Sequence, residues 1–189
     1  MDLWRKMSQD LNYNVMFSPR GIINLAHSDA QMNAYARRGN SMRLNGIDAV
    51  LLNREQVKEI IPMADFSENV RFPIFGGLMQ PSAGTARHDA VAWGYARQAD
   101  SMGVDIIQNC EVTGFDVVAG KIKGIRTSRG NIKAKKVGIC VAGSTNILAE
   151  KLNMTLPIET HLLQACVSEP VKPVLDNVVT FGAGHFYVS

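Results

Sequence analysis

Apolar residues recur at two different spacings along this 189-residue chain, and each change of spacing marks a new element. Over residues 87–102 they follow the three-to-four-residue period of an amphipathic helix. Two short apolar runs with the character of strands come next, at 104–108 and 111–115. A helix that leads directly into an apolar strand is typical of the crossover in a doubly wound sheet, so we expect an α/β fold.

The N-terminal part predicts helices whose starts can be read from capping residues. Leu3 and Met7 share one helical face, which begins without a clear N-cap residue. Ser28 with Gln31 predicts a capping box for a helix through residue 44, and Asn53 with Gln56 predicts another for a helix over 54–61. Strands are predicted at 15–17, 22–26 and 72–79.

The C-terminal half predicts a meander followed by a buried strand. Residues 111–118 and 121–127 are expected to pair across Ala119-Gly120, with 131–134 as the third strand. The nearly continuous apolar run 137–141 predicts a strand buried on both faces, and a helix over 145–152 follows. Strand-like patterns return at 156–168 and 178–189.

Composition and charge exclude several classes of protein. The chain is 46% hydrophobic and carries 20 basic against 17 acidic residues, a net charge of +3 that does not indicate a polyanionic partner. A basic run at 121–136 lacks the interleaved aromatics of a nucleic-acid surface, so we expect a solvated sheet edge, or a docking face for another protein, and no nucleic acid. Three scattered cysteines indicate reduced thiols in a cytoplasmic protein, with no metal site and no membrane-spanning segment.

Four segments, in order along the chain, carry a resemblance to a known family. They are LNYNVMFSPRGIINLAHS, NREQVKEIIP, GTARHDAVAWGYARQADSMGVDIIQNCEVTGF and NIKAKKVGICVAGSTNILAE. Together they resemble the β subunits of heterotetrameric sarcosine oxidases, which belong to the FAD-dependent, D-amino-acid-oxidase-like amine oxidases. The resemblance extends over essentially all 189 residues.

The resemblance implies a partial FAD-binding, Rossmann-like domain with a β-meander, together with parts of a mixed-sheet substrate domain. Residues 1–80 and 156–189 would belong to the substrate domain, and 81–155 to the second half of the FAD domain. The family's strand, Gly-rich turn and helix for the FAD pyrophosphate have no counterpart here. We therefore expect an internal segment of a longer protein, inactive by itself; the alternative is a complete chain capped by Asp2.

The same resemblance implies a covalent flavin. In this family the histidine at the position of His88 carries FMN through the flavin 8α-methyl group. A helix start and the neighbouring Arg87 both favour the neutral imidazole that such chemistry requires. Arg87 could also receive negative charge from the flavin. His185, in the run HFYVS, is similar to the family's segment that reaches the FMN at a subunit interface.

Three further positions are implied for FAD. The backbone of Val112 would meet the adenine edge, while Ala142 and Gly143 would pass under the adenosine or the pyrophosphate. Small residues between a strand and a helix allow such close approach of the backbone to a ligand. No residue is singled out as catalytic.

The activity implied is oxidation of the N-methyl group of sarcosine, a small-molecule amine, with electrons passing from FAD to FMN and then to O₂. Other subunits, one with a folate site, would complete the enzyme. Two alternatives stay open. One is a single-flavin oxidoreductase of the glycine oxidase or dimethylglycine dehydrogenase type; the other is a non-catalytic binding or scaffold module, which the missing Gly-rich turn favours.

Overall fold

The computed structural model describes residues 2–182 and 184–189, and the chain forms two compact units. The first unit contains the chain up to Val104 and from Glu169 onward, so its two parts are distant in sequence. The second unit is Asp105–Ser168. Both combine helices with β-strands, which confirms the predicted mixed α/β class.

The first unit is built on a five-stranded mixed sheet. The elements of this unit are α1 (Asp2–Asp10), β1 (Ile22–Ala26), α2 (Asp29–Leu44), β2 (Val50–Asn53), α3 (Arg54–Ile60), β3 (Gly76–Gln80), α4 (His88–Ser101), β7 (Val178–Phe181) and β8 (Phe186–Val188). The strand order in the sheet is β2-β3-β1-β7-β8, and the central strand β1 is antiparallel to β3 on one side and parallel to β7 on the other.

Local capping explains where two of these helices begin. The Ser28 side chain accepts a hydrogen bond from the Gln31 amide at 3.3 Å, while the Gln31 side chain accepts from the His27 amide at 2.6 Å, one residue earlier than a reciprocal box requires. At α3 the reciprocal box of Asn53 and Gln56 is complete, with both bonds at 2.9 Å. Both helices therefore start where the sequence predicts.

Two apolar clusters stabilise the first unit. One lies between the sheet and α3; its buried members are Ile23, Leu25, Leu52, Val57, Ile61 and Ile74. The other joins Met7 of α1 to Leu11 and Val15, which follow that helix, and Val91 of α4 packs against it. This second cluster packs α4 against the N-terminal segment, because Gly94 lets the Leu11 side chain approach closely.

The second unit contains the predicted meander. Its elements are β4 (Val112–Val118), β5 (Lys121–Thr127), β6 (Gly130–Lys133), a 3₁₀ turn (Ala142–Ser144) and α5 (Thr145–Glu150). Strands β4 and β5 pair across Ala119 and Gly120, both of which adopt positive φ (50° and 75°). This is the backbone of the tight hairpin turn that the sequence predicts.

Four predicted strands are wrong. Residues 15–17 form no ladder, and Met16 has a φ of 54°, outside the extended region; a single bridge joins Ser18 to Thr85. Residues 156–168 are irregular and largely exposed. Residues 104–108 and 137–141, expected to be strands of a parallel sheet, form no strand either.

The two missing parallel strands have a common physical reason. No strand among the described residues offers them backbone partners, and a strand cannot form without a partner for its amides and carbonyls. Their apolar side chains consequently remain accessible, with Ile107 52% and Val141 39% exposed. The periodicity identifies the apolar character of these segments correctly but not their pairing.

Among the described residues, none of the helices combines the length and the apolar character that crossing a bilayer requires. The part of the chain that the structure describes also contains no group of three or more His, Cys, Asp or Glu side chains placed to hold a metal ion.

Candidate functional site

The loop before α4 fixes the position of the first residues of that helix. Ser18 and Thr85 form an antiparallel bridge through two backbone hydrogen bonds, of 2.8 and 3.0 Å. Between β3 and this bridge, Gly84 lies so close to the Ser18 carbonyl that a Cβ atom there would collide with it. The Gly21 amide also donates to the Ala83 carbonyl at 2.7 Å. The loop is therefore tied to the segment between α1 and β1.

Arg87 and Asp89 flank the candidate histidine and are paired with each other. Arg87 Nη2 lies 2.8 Å from Asp89 Oδ2, and Nε lies 3.2 Å from Oδ1. Asp89 Oδ1 also accepts from the Ala90 amide at 2.9 Å. The Arg87 hydrogen bonds, then the Ala90 amide, lower the pKa of Asp89 to about 2, and the same pair raises the pKa of Arg87. Arg87 thus remains charged, with its remaining N–H groups free of Asp89.

His88 is the first residue of α4 and is exposed to solvent. Within the described part of the chain its imidazole makes no hydrogen bond and no ion pair. Neither ring nitrogen is therefore committed to a structural role, unlike those of a histidine that caps a helix. The side chain is therefore available for chemistry at the helix N-terminus.

His88 lies on the wall of a groove of about 510 Å³ in the first unit. The lining residues come from the N-terminal segment, the sheet edge and α4: Trp4, Phe17, Ile22, Gln80, Ala83, Gly84, Ala86, His88 and Val91. Trp4 and Phe17 stack, with ring centroids 5.9 Å apart and planes at 23°. An apolar groove of this size with few polar side chains is typical of a small-molecule or cofactor site.

The positions predicted for FAD lie in the second unit. Val112 begins β4 opposite Thr127, and the register shifts between Val112 and Gly114. Such a bulge leaves backbone groups outside the regular ladder, which is what a contact through backbone N–H and C=O requires. Val112 itself pairs with Thr127, and the residue left out of the ladder is Thr113.

Ala142 and Gly143 both lie in the 3₁₀ turn before α5. Ala142 has a φ of 43°, and its carbonyl accepts from the Thr145 hydroxyl at 2.6 Å. The Gly143 carbonyl accepts from the Thr160 hydroxyl at 3.2 Å. Both carbonyls thus have local partners, and both residues are exposed.

His185 lies in the turn between β7 and β8, with a φ of 53°, and is exposed. Its amide lies 3.4 Å from the Gly182 carbonyl. Among the described residues it is not part of the groove at His88. The structure therefore places the two histidines in the same unit without bringing them into one site.

The sequence interpretation missed Gln80 and the Trp4–Phe17 pair, whose positions in the groove result from contacts between distant segments. His27 is a further residue to which the sequence assigns no role. Nδ1 of His27 lies 3.2 Å from both the Phe72 and the Pro73 carbonyls, so this nitrogen carries the hydrogen. Nε2 is buried and has no hydrogen-bond partner among the described residues. The imidazole ring of His27 packs against the Phe181 ring, and the two ring centroids are 4.4 Å apart. No local signal in the sequence indicates this environment.

Comparison with known proteins defines the class. The family model described as FAD dependent oxidoreductase matches residues 1–189, so the chain belongs to that family. The family's description names FAD, which the sequence predicts, as the cofactor. It also names oxidoreductase as the class of enzyme.

Two relatives make the resemblance more specific. The chain is 59% identical over 189 residues to the sarcosine oxidase subunit beta of Rhizobium meliloti and 46% identical over 189 residues to that of Arthrobacter sp.. Both alignments include 100% of this chain but only 45% and 47% of the respective relative. The predicted resemblance to sarcosine oxidase β subunits is confirmed, and the chain spans slightly less than half the length of these relatives.

Solved structures agree on the fold. The L-proline dehydrogenase of P. horikoshii superposes with a TM-score of 0.78 at 23% identity, covering 98% of this chain and 49% of that one. The glycine oxidase of Geobacillus kaustophilus gives 0.71 at 17% identity, covering 95% and 48%. At these identities the likeness concerns the fold alone.

The residues present fit a flavin in part. An uncommitted imidazole beside an aromatic, mostly apolar groove suits an isoalloxazine ring, and the irregular start of β4 suits a contact through the backbone. The Gly-rich turn for the FAD pyrophosphate has no counterpart in this sequence.

Proposed function

We propose that this chain is part of a flavin-dependent amine oxidoreductase of the sarcosine oxidase β type, and that His88 is its covalent attachment site for FMN. The observation that carries the proposal is the uncommitted imidazole of His88 on the wall of the groove. The 59% identity to a protein called sarcosine oxidase subunit beta supports the substrate, sarcosine.

In such an enzyme the bound flavins would supply the redox chemistry, which is oxidation of the substrate N-methyl group by way of FAD and FMN with O₂ as the final acceptor, giving hydrogen peroxide. The residues of this chain would bind the flavin and orient it. His88 would supply a ring nitrogen for a bond to the flavin 8α carbon. That bond replaces the imidazole N–H hydrogen and one methyl hydrogen, and both hydrogens with two electrons reach O₂ as hydrogen peroxide.

Arg87 would place a permanent positive charge next to the attachment site. Its pairing with Asp89 fixes the guanidinium across the first helical turn while leaving other N–H groups to meet the phosphate or a ring carbonyl of the flavin.

The remaining assignments extend this proposal to FAD and to the domains. The backbone of Val112 would contact the adenine, Ala142 and Gly143 would lie under the adenosine or pyrophosphate, and His185 would approach the FMN at a subunit interface. Residues 1–80 and 156–189 would belong to the substrate domain and 81–155 to the FAD domain.

The partners and the location are part of the proposal too. The relatives' name, subunit beta, supports a hetero-oligomeric enzyme with other subunits. One of these subunits would bind folate, as the family resemblance implies. The three cysteines are unpaired thiols, which supports a cytoplasmic location.

Peptide mapping tests the covalent site directly. The protein is expressed from its native locus with the neighbouring genes, denatured, freed of non-covalent flavin and digested with trypsin. Cleavage after Arg87 and Arg97 releases a ten-residue peptide that begins with His88, and we expect this peptide to carry the flavin. His88→Ala should remove the covalent flavin and leave FAD bound.

Other outcomes distinguish the alternatives. Covalent flavin on a peptide containing His27, His161 or His185 would contradict the assignment of His88. A yellow protein with no covalent flavin would favour a single-flavin relative. A colourless, stably folded protein would favour a binding module.

A further inference from the structure

The groove beside His88 has two features that an attachment site does not need for bond formation alone. One is the aromatic pair of Trp4 and Phe17, contributed by the segment around α1, 84 and 71 residues before the histidine in sequence. The other is Gln80 at the end of β3. Both line the same groove as His88.

The register of the sheet gives the direction of the Gln80 side chain. Gln80 lies opposite Ile22 in the antiparallel pair of β3 and β1, and side chains directly opposite each other project from the same face. Both residues line the groove. The amide of Gln80 therefore projects from the sheet face that forms the groove wall.

The polar character of the groove is concentrated at two points. Apart from His88, Gln80 contributes the polar amide, and in the described part of the chain that side chain makes no hydrogen bond. An amide offers two N–H donors and a carbonyl acceptor. The other lining side chains are apolar or aromatic.

An isoalloxazine ring matches this arrangement in chemistry. Its flat faces suit an aromatic wall, since offset stacking of aromatic rings is favourable. Its pyrimidine edge presents alternating carbonyl acceptors and an N–H donor, which an amide side chain can meet with both of its groups. The dimethylbenzene edge, at the other end of the ring system, is the one that bonds to histidine.

We propose that Trp4, Phe17 and Gln80 form a recognition site for the flavin ring, in which the aromatic pair stacks on the ring and the Gln80 amide hydrogen-bonds to its pyrimidine edge, so that the ring is held before His88 bonds to it. This inference rests on the proposed function, because it takes the group at His88 to be a flavin. Gln80 and Trp4 are positioning residues: they bind the ring and form no bond in the reaction.

The test measures attachment, not turnover. The protein is expressed from its native locus in a riboflavin-auxotrophic host at graded riboflavin supply, and covalent flavin per protein is measured after denaturation. Gln80→Leu removes the amide at similar size, and Trp4→Leu removes the stacking face. Gln9→Leu and Trp93→Leu are the matched controls, since both residues are exposed on helices and lie outside the groove.

Loss of one hydrogen bond of ordinary net strength should raise the riboflavin supply needed for half-maximal attachment about fivefold in Gln80→Leu. Loss of the stacking contact should raise it about tenfold in Trp4→Leu. The two control variants should match the unmodified protein. Thermal unfolding verifies that each variant is folded; if Trp4→Leu is not, Gln80→Leu compared with Gln9→Leu still decides the question.

Two negative results are distinguishable. If His88→Ala loses covalent flavin but Gln80→Leu and Trp4→Leu follow their controls, the recognition site is wrong and the attachment site stands. If His88→Ala keeps covalent flavin, the proposed function fails at this residue and the recognition site fails with it.

Discussion

Arg87 and Asp89 form a two-point ion pair across the first turn of α4, with Nη2–Oδ2 and Nε–Oδ1 distances of 2.8 and 3.2 Å. The pair encloses His88 in sequence. Because both side chains are about half exposed, solvent screening keeps its contribution to stability small. Its consequence is instead the fixed position of a positive charge beside the candidate attachment site.

The pair predicts a titration. The hydrogen bonds from Arg87 lower the pKa of Asp89 to about 2 in the folded protein, against about 3.9 in an unfolded chain. A lowered folded-state pKa stabilises the fold above the unfolded value, and this contribution disappears as pH falls from about 4 to about 2. NMR titration of the Asp89 carboxyl should therefore show a midpoint near 2.

Arg87→Leu provides the comparison for this titration. Without the guanidinium, the Asp89 midpoint should rise toward its ordinary value, although the Ala90 amide still lowers it somewhat. An unchanged midpoint in Arg87→Leu would contradict the pairing.

The elements that the sequence predicts correctly depend on contacts between near neighbours. The start of α3 follows from Asn53 and Gln56, three residues apart, and the hairpin of β4 and β5 follows from its two-residue turn. Propensity and capping act over such distances, so they are readable in a single sequence.

The elements that fail depend on distant partners. The runs 104–108 and 137–141 have the apolar character of parallel strands, but a parallel strand needs a hydrogen-bonding neighbour that arrives through a long connection. The groove presents the same difficulty, since Trp4 and Gln80 are 76 positions apart in sequence. His88, in contrast, was found through a local run of matching residues.

Gly84 should be intolerant of any side chain. Gly84→Ala would push a Cβ atom into the backbone carbonyl of Ser18, which the bridge to Thr85 holds in place. Forced overpacking of this kind costs about 1–3 kcal/mol. Denaturant unfolding should show the loss. Gly138→Ala is the control, because a Cβ there meets only the Cys140 sulfur at 3.9 Å; an equal loss in both would rule out the steric reason.

The N-cap of α3 should contribute measurably to stability. Asn53→Ala removes the side chain that accepts from the Gln56 amide at 2.9 Å, which should lower the free energy of unfolding by about 1 kcal/mol. Asn53→Ser keeps a capping oxygen and should lose less. Chemical denaturation of both variants measures the difference, and equal losses would show that the cap is not the cause.

A substitution in the turn between β4 and β5 should increase the stability of the second unit. Ala119 adopts a φ of 50°, a conformation that costs an alanine about 1 kcal/mol, whereas asparagine tolerates it better and Asn-Gly is the preferred pair for this turn. Ala119→Asn should therefore stabilise the second unit, by a few tenths of a kcal/mol up to about 1 kcal/mol. Ala119→Val should destabilise it, because a β-branched side chain is strained at positive φ. Hydrogen exchange of the β4 and β5 amides reports on this unit separately from the first. Slower exchange in Ala119→Asn and faster exchange in Ala119→Val are the expected pair of results, and the reverse order would contradict the turn geometry.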